Sequence, residues 1–362
     1  MSGVIRKLKE QAPVFNALGV VMVVFNDELD GLYDDIHFVK FDDYVPSFVL
    51  KIFRSIYIRT FKYKLLESFL LGRNVSRLIV RYSYSDFSIF SLVRKFSGVV
   101  IFEHHTKELE ELECNNKFRG FLWGQFIMEK YAPRLISRHL KGCIAVTEDI
   151  LIYQVSRFGL DPNKSHVFPN GVKRSVFVEN RKKKIDDVFE IVFGASRFSH
   201  WHGLDLLIES ANQYKGAHTI HLNIFGDTCE QSIKNSLESL DNHRVKLFVH
   251  GTISRDEIFK LYERCHLGVD SLGLNRLGMT SGSTLKSKEY IARGLPFIYN
   301  TPDQSLFWAN DILFYSDGTP CLESAISHYE TLGEEDFKYL YRKGMESSSW
   351  EAIIEKLISS IN

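Results

Sequence analysis

The sequence contains no apolar run long enough to span a bilayer, and its first residues do not read as a signal peptide. It carries no net charge, with 45 Lys and Arg against 45 Asp and Glu. Composition therefore gives no support to bulk nucleic-acid binding, and any anion site must be local. The five cysteines (Cys114, Cys143, Cys229, Cys265, Cys321) are scattered, odd in number and never spaced C-x-x-C. That pattern argues against a disulfide framework or a zinc site and fits reduced thiols in a cytosol. The patterns G-x-G-x-x-G and G-x-x-x-x-G-K-[ST] are also missing, which removes the simple dehydrogenase and P-loop readings.

What is present is an apolar content of 44% and a charged content of 25%, the mark of a folded chain. A length of 362 residues suits two domains of ordinary size. Short apolar runs alternate with helical patterns. In the first half the strand candidates are residues 20–25, 36–39, 78–82, 99–102 and 143–146. A loop with Pro and Asn-Gly punctuation, Asp161 to Val172, reads as the end of the first domain. A polar run, Glu179 to Asp187, leads to a second set of strands at 191–193, 220–225, 245–248, 267–270 and 297–299. Strand–helix alternation with continuous apolar strands predicts α/β architecture, parallel sheets covered on both faces. The expected division is 1–172 and 173–346, and the chain closes on an amphipathic helix within 347–362.

The most informative stretch runs from Leu272 to Tyr299. A polar loop carrying Gly278, Ser281, Gly282, Ser283 and Thr284 feeds a helix predicted to begin at about Thr284 and to stop at Gly294, ahead of Pro296. Such a loop offers unpaired N–H groups and the positive end of a dipole to an anion. Lys286, Lys288 and Glu289 lie early in that helix. On the residues alone, an ordinary loop–helix–strand unit with a solvated charged face is equally open.

The segment LKSKEYIARGLPFI resembles the donor motif of retaining glycosyltransferases of family 4, enzymes of bacterial polysaccharide synthesis with the GT-B fold. The resemblance implies two Rossmann-like, doubly wound domains facing across a cleft, with the closing helix crossing back to the first domain. It implies that Glu289 holds the ribose of a nucleotide diphosphate sugar and that the Gly-rich loop, Gly278 to Thr284, holds the pyrophosphate; Lys286, a polar neighbour of Glu289, is counted with the nucleotide-binding residues. A second glutamate expected eight positions earlier is replaced by Ser281. The family's first strand precedes an "sGv" turn. Here Ser2, Gly3 and Val4 follow Met1 directly, so the expectation is a missing first strand or a shorter N-terminal sheet.

Other segments fit this frame. FGASRFSHWHGLDLLIESA reads as a strand ending at Gly194, a loop, and a helix starting near Gly203. The resemblance places Arg197 at the donor phosphates and puts His202, before Gly203, where the family has a lysine. A mostly neutral imidazole supplies a hydrogen bond more readily than a charge. The plain alternative is a surface loop in which Trp201 packs on the domain. His200 and His202 lack further ligands at a convincing spacing, so no metal site is expected. D-x-D, the metal-holding pair of the other large glycosyltransferase fold, is absent. In the first half, Glu103 and His104 follow a strand, where they could steady charge on the sugar or take the acceptor proton. Capping of the next helix by Thr106, with solvated neighbours, is the alternative. Asn170 and Gly171 match a family turn and read as structural.

Residues 51–73 interleave Lys51, Arg54, Arg59, Lys62, Lys64 and Arg73 with aromatic and aliphatic positions. Such a helix can lie on an anionic membrane surface or be a core helix with snorkelling basic side chains. Taken together, the sequence predicts a metal-independent hexosyltransferase that uses a nucleotide diphosphate sugar and a glycan or lipid-linked acceptor. It is expected in the cytoplasm at the inner face of the membrane, without nucleic acid. The rivals are a non-catalytic GT-B subunit that partners a true transferase, and a GT-B epimerase or phosphorylase.

Overall fold

The computed structural model describes residues 3–25, 35–39, 51–70, 73–83, 86–114, 121–179, 183 and 187–361. Most of the polar run at 179–187 and Ser2 lie outside these residues. Contacts divide the chain into two units. One comprises Gln11–Phe168 with the chain end from Leu357. The other comprises Pro169–Lys356 with the N-terminal helix as far as Glu10.

In the first unit, β1 (Met22–Phe25) and β2 (Ile36–Val39) form a parallel pair. A separate parallel sheet runs in sequence order through β3 (Arg77–Arg81), β4 (Val99–His104), β5 (Gly142–Ala145) and β6 (His166–Val167). Val100, Phe102, Cys143 and Ala145 are fully enclosed, as expected of strands covered on both faces. The Lys51–Leu70 helix sets Tyr63 in the core and pairs Lys62 with Asp86 at 3.2 Å, the residue that caps the Phe87–Lys95 helix. Lys62 is therefore turned inward, whereas Lys64 is exposed, its ammonium 4.5 Å from the centre of the Phe61 ring. The side chains of Lys51, Arg54 and Arg59 lie outside the described residues.

The second unit is one six-stranded parallel sheet. Its strands are β7 (Val188–Arg197), β8 (Thr219–Asp227), β9 (Val245–Val249), β10 (Leu267–Val269), β11 (Phe297–Tyr299) and β12 (Phe314–Tyr315). Their spatial order is β12-β11-β10-β7-β8-β9. The chain winds outward from β7 through β9, then returns to the other side of β7 and winds the opposite way. The reversal lies between β7 and β10. β7 does not end at Gly194: a bulge carries it on to Arg197, opposite Asp227 on β8. The reason is tertiary, since β8 supplies a partner strand that the local pattern does not reveal.

The Leu285–Ala292 helix begins where the sequence places it. Thr284 is its N-cap, accepting from the Ser287 N–H at 3.1 Å, and Gly294 follows its end at φ 60°. Its charged residues do not form a solvated face. Ser287, Lys288, Glu289, Tyr290 and Ile291 are all buried: the Glu334–Ser348 helix packs against this helix, and the Tyr290 hydroxyl reaches the Val269 carbonyl in the sheet at 3.1 Å.

Candidate functional site

In an open α/β sheet, the C-terminal strand edges on either side of a winding reversal leave a crevice that neighbouring crossover helices do not fill. Here the loops in question follow β7 and β10. The residues that the sequence proposes for the donor lie at or beside them: Arg197 ends β7 and His202 and Gly203 follow it, while Gly278 to Thr284 lie in the second loop and Lys286 and Glu289 in the helix it feeds. The two loops are stitched together. The Leu272 N–H donates to the His202 carbonyl at 2.8 Å, and Arg276 donates to the His200 carbonyl at 2.7 Å and pairs with Asp205 at 2.6 Å. Gly203 sits at φ 75°, and a Cβ there would lie 2.8 Å from the Leu272 Cβ and 2.9 Å from the Gly273 nitrogen. Only glycine permits both the turn and this approach.

The individual residues differ in how they are held. Arg197 points outward, its side chain 72% exposed, and pairs with Asp227 at 3.3 Å. His202 is buried and stacked on Trp201 at 3.6 Å. Its Nδ1 accepts from the Ser199 N–H at 3.0 Å, which places the proton of the neutral ring on Nε2. Burial, with the charge of Lys286 nearby, holds its pKa down to about 3, so the ring is neutral. Gly278, at φ 70°, ends a short 3-10 turn, Leu274–Leu277. The Gly282 N–H is already spent on the Pro302 carbonyl at 2.9 Å. Ser281 is buried, and Ser283 receives the Asn170 backbone N–H on its hydroxyl at 3.2 Å and the Asn170 side-chain amide on its carbonyl at 2.6 Å. Asn170 thus holds the loop ahead of Thr284 directly through two hydrogen bonds.

The polar residues around the end of β10 were not legible as a group in the sequence. Asp270, just past β10, accepts from the Thr284 hydroxyl and the Ser271 N–H, each at 2.7 Å. Burial raises its pKa, against the opposing pull of Lys286 and Thr284. Lys286 lies 3.9 Å from Asp270 and 4.5 Å from the centre of the Phe193 ring; burial lowers its pKa to about 8. Lys288, two residues on, is fully enclosed and bound to Asp303, at 2.7 Å, and to the Ser305 hydroxyl. Glu289 is 6% exposed. Arg6 of the N-terminal helix reaches it at 3.0 Å and Arg255 stands 4.0 Å away, while Glu10 binds Arg255 at 2.7 Å and receives the Trp350 indole N–H at 3.2 Å. Burial raises the Glu289 pKa, with Arg6 and Arg255 opposing it. Arg6 and Glu10 are one turn apart on a helix, the only local sign that they share a face.

The first-unit candidates form a different environment. Glu103 is half-buried and bonded to His105 at 2.9 Å. His104 is enclosed beneath the end of β4, with Nδ1 2.7 Å from Glu108. Glu108 also receives Gln154 and lies 3.5 Å from Arg157. Arg157 binds Glu129 at 2.6 Å, and Glu129 accepts from the Tyr82 hydroxyl at 2.9 Å. The alternative with solvated neighbours does not hold for His104, since this network surrounds it. The Thr106 carbonyl accepts from Gln154 at 3.1 Å.

Among the described residues no cluster of three His, Cys, Asp or Glu side chains could hold a metal ion, and no helix is long and apolar enough to cross a membrane. Four described cysteines, Cys143, Cys229, Cys265 and Cys321, are free thiols.

No protein-family model matches this sequence, and no curated protein matches it. Solved structures do resemble it in fold. A glycosyltransferase from Rickettsia africae ESF-5 superposes with a TM-score of 0.67 at 14% identity, over 99% of this chain and 93% of the other. The lipopolysaccharide outer core galactosyltransferase WaaB gives a TM-score of 0.65 at 12% identity, over 100% and 96%. Anabaena HepE, solved in complex with UDP and glucose, gives 0.63 at 12% identity, over 99% and 96%. At these identities the likeness establishes the fold: the chain has the GT-B architecture of two Rossmann-like units.

Proposed function

We propose that this protein is a retaining glycosyltransferase that moves a hexose from a nucleotide diphosphate sugar to a hydroxyl of a glycan or lipid-linked acceptor, in the synthesis of a cell-surface polysaccharide. The observation that carries this reading is the meeting of the β7 and β10 loops at the winding reversal, around the start of the Leu285–Ala292 helix and the buried carboxylate of Glu289. In this reading Glu289 accepts from the ribose hydroxyls. The diphosphate lies against the helix start and Ser281 to Thr284, with Lys286 beneath it and Arg197 at the rim. The bond from the sugar C1 to the β-phosphate oxygen breaks with its electron pair going to that oxygen. The acceptor oxygen forms the new bond to C1, and its proton ends on the departing diphosphate. Protein cations and backbone N–H groups, rather than a metal, carry the charge that develops on the leaving group. Glu103 and His104 belong to the acceptor side, and the Lys51–Leu70 helix to contact with an anionic membrane at its cytoplasmic face.

The test is thermal stability against a panel of nucleoside diphosphates, without and with magnesium. A ligand at about 100 times its Kd adds roughly 2.7 kcal/mol. A metal-independent shift with one base supports the donor site; no shift with any of them removes it. The second reading, a non-catalytic subunit, is favoured by the pairing of Arg6 with Glu289. Nucleotide binding without turnover by the purified chain selects that reading.

A further inference from the structure

The six-stranded sheet of the second unit ends at β12 on one side and at β9 on the other. β12 is two residues long and offers little to pair with, whereas β9 has five. In a parallel ladder, alternate residues turn both backbone groups to the same neighbour. The Arg244 carbonyl accepts from the Ile220 N–H and the His250 N–H donates to the Ile224 carbonyl, each at 2.8 Å. The even-numbered residues of β9 therefore serve β8, and Val245, Leu247 and Val249 turn their groups to the open side. The Val245 N–H is taken by the Asn242 carbonyl at 2.9 Å. The N–H groups of Leu247 and Val249 and the carbonyls of all three have no partner among the described residues. Apolar surface accompanies these free groups. Phe248 is 39% exposed and Val249 47%, on opposite faces of the strand. Lys246 is exposed on the Phe248 face, and His221 holds the Phe248 ring edge-on at 4.9 Å. β9 contains no proline, and its register with β8 has no bulge.

We propose that β9 is a self-association surface: two copies of this chain pair their β9 strands antiparallel about a two-fold axis at Leu247, joining the two sheets edge to edge. In this register each Leu247 N–H donates to the other copy's Leu247 carbonyl, and each Val249 N–H to the other's Val245 carbonyl. Both free donors of each strand are then used. On one face Leu247 meets its own copy and Val249 meets Val245, which covers the exposed apolar side chain. On the other face Lys246 lies opposite Phe248, whose ring attracts a cation. A lysine on an edge strand ordinarily repels a second strand, and here it meets a ring rather than another lysine. Arg244 falls opposite His250, whose pKa burial and Arg264 hold below its ordinary value, so no fixed cation faces another. A foreign extended segment would take the same hydrogen bonds. The second copy is favoured because the strand's own sequence meets its apolar and charged positions in turn, and a two-fold contact closes on itself. β8 separates β9 from β7, so the pairing leaves the crevice between β7 and β10 open. The proposal does not depend on what that crevice binds.

The experiment is sedimentation equilibrium on the full chain over a range of concentrations, with far-UV circular dichroism to show that each variant is folded. Two short strands make a small interface, so the mean mass of the wild type should climb from one chain toward two as concentration rises to about 0.2 mM. Val249→Pro deletes an outward N–H without touching a bond to β8, and should stay monomeric. Phe248→Lys sets a lysine opposite Lys246 and should weaken association about tenfold or more. Adding Lys246→Glu to Phe248→Lys puts opposite charges across the axis and should restore the dimer. Should Val249→Pro not fold, the charge-swapped pair decides. A wild-type chain that stays monomeric throughout overturns the proposal and leaves the edge to a foreign strand. A dimer untouched by Val249→Pro and Phe248→Lys overturns it too, since it must use another surface. Failure of the double variant to recover overturns the register at Leu247.

Discussion

Arg6 Nη2 lies 3.0 Å from Glu289 Oε1, so the first helix of the chain and the carboxylate proposed for the ribose form one ion pair. Arg255 and Glu10 extend it into an alternating row of cations and anions. In the role proposed for Glu289, ribose hydroxyls compete with this guanidinium. Arg6→Ala is therefore expected to tighten nucleotide binding several-fold, at a cost of about 1 kcal/mol in stability, because Arg6 is partly exposed. Titration calorimetry and thermal melts check both; weaker binding instead makes Arg6 a direct ligand.

Glu289 also predicts a pH signature. Its carboxyl titrates above the ordinary 4.5 because burial outweighs Arg6 and Arg255. The stability it contributes is full below about pH 4.5 and is lost as pH rises through the folded-state value. Glu289→Gln should thus gain on the wild type in urea denaturation as pH rises above about 4.5, while losing about tenfold or more in nucleotide affinity. A stability difference that does not move with pH would show that Glu289 is not held in this state.

Lys286 and Lys288 should respond in opposite ways. Lys288→Met leaves Asp303 without its cation in a buried site and is expected to cost about 3–5 kcal/mol. Lys286→Met removes a charge that the folded state holds at a disadvantage, and Asp270 keeps its two other donors. The pKa of Lys286 falls from 10.5 to about 8 on folding, so its penalty is present below that range and fades as pH rises through it. Wild type should gain stability relative to Lys286→Met between about pH 8 and 10.5, and parallel curves over this span exclude it.

The network in the first unit is expected to be structural as well as polar. Arg157→Met strands Glu129 and Glu108, both almost fully enclosed, and should lower stability by about 3–5 kcal/mol in chemical denaturation. A loss under about 1 kcal/mol would mean that water enters the site.

Membrane contact through residues 51–73 is tested by neutralising Lys51, Arg54, Arg59 and Lys64 while sparing Lys62, which Asp86 holds inside. Each basic residue near an anionic surface is worth about 1 kcal/mol, so cosedimentation with phosphatidylserine vesicles should fall sharply. Unchanged cosedimentation assigns the helix to the fold alone.

The sequence by itself determined the alternation of buried strands and helices, a helix start at about Thr284, the stop at Gly294 and the two polar loops that follow their strands. These features are set by local periodicity and by backbone chemistry that a few neighbouring residues decide. It also marked Glu289, Arg197 and His202 through a motif. Only the tertiary structure decided that Lys288 is hydrogen-bonded to Asp303 and Ser305 while Lys286 has only a long ion pair with Asp270, that Asp270 receives the Thr284 hydroxyl, and that Arg6 closes on Glu289. A lysine looks alike in sequence whether a carboxylate waits beside it or not, and the partner comes from a distant strand end or helix. Burial made the same difference. The charged start of the Leu285–Ala292 helix reads as a surface until the sheet and the Glu334–Ser348 helix cover it, and removal from water is what turns those charges into a site.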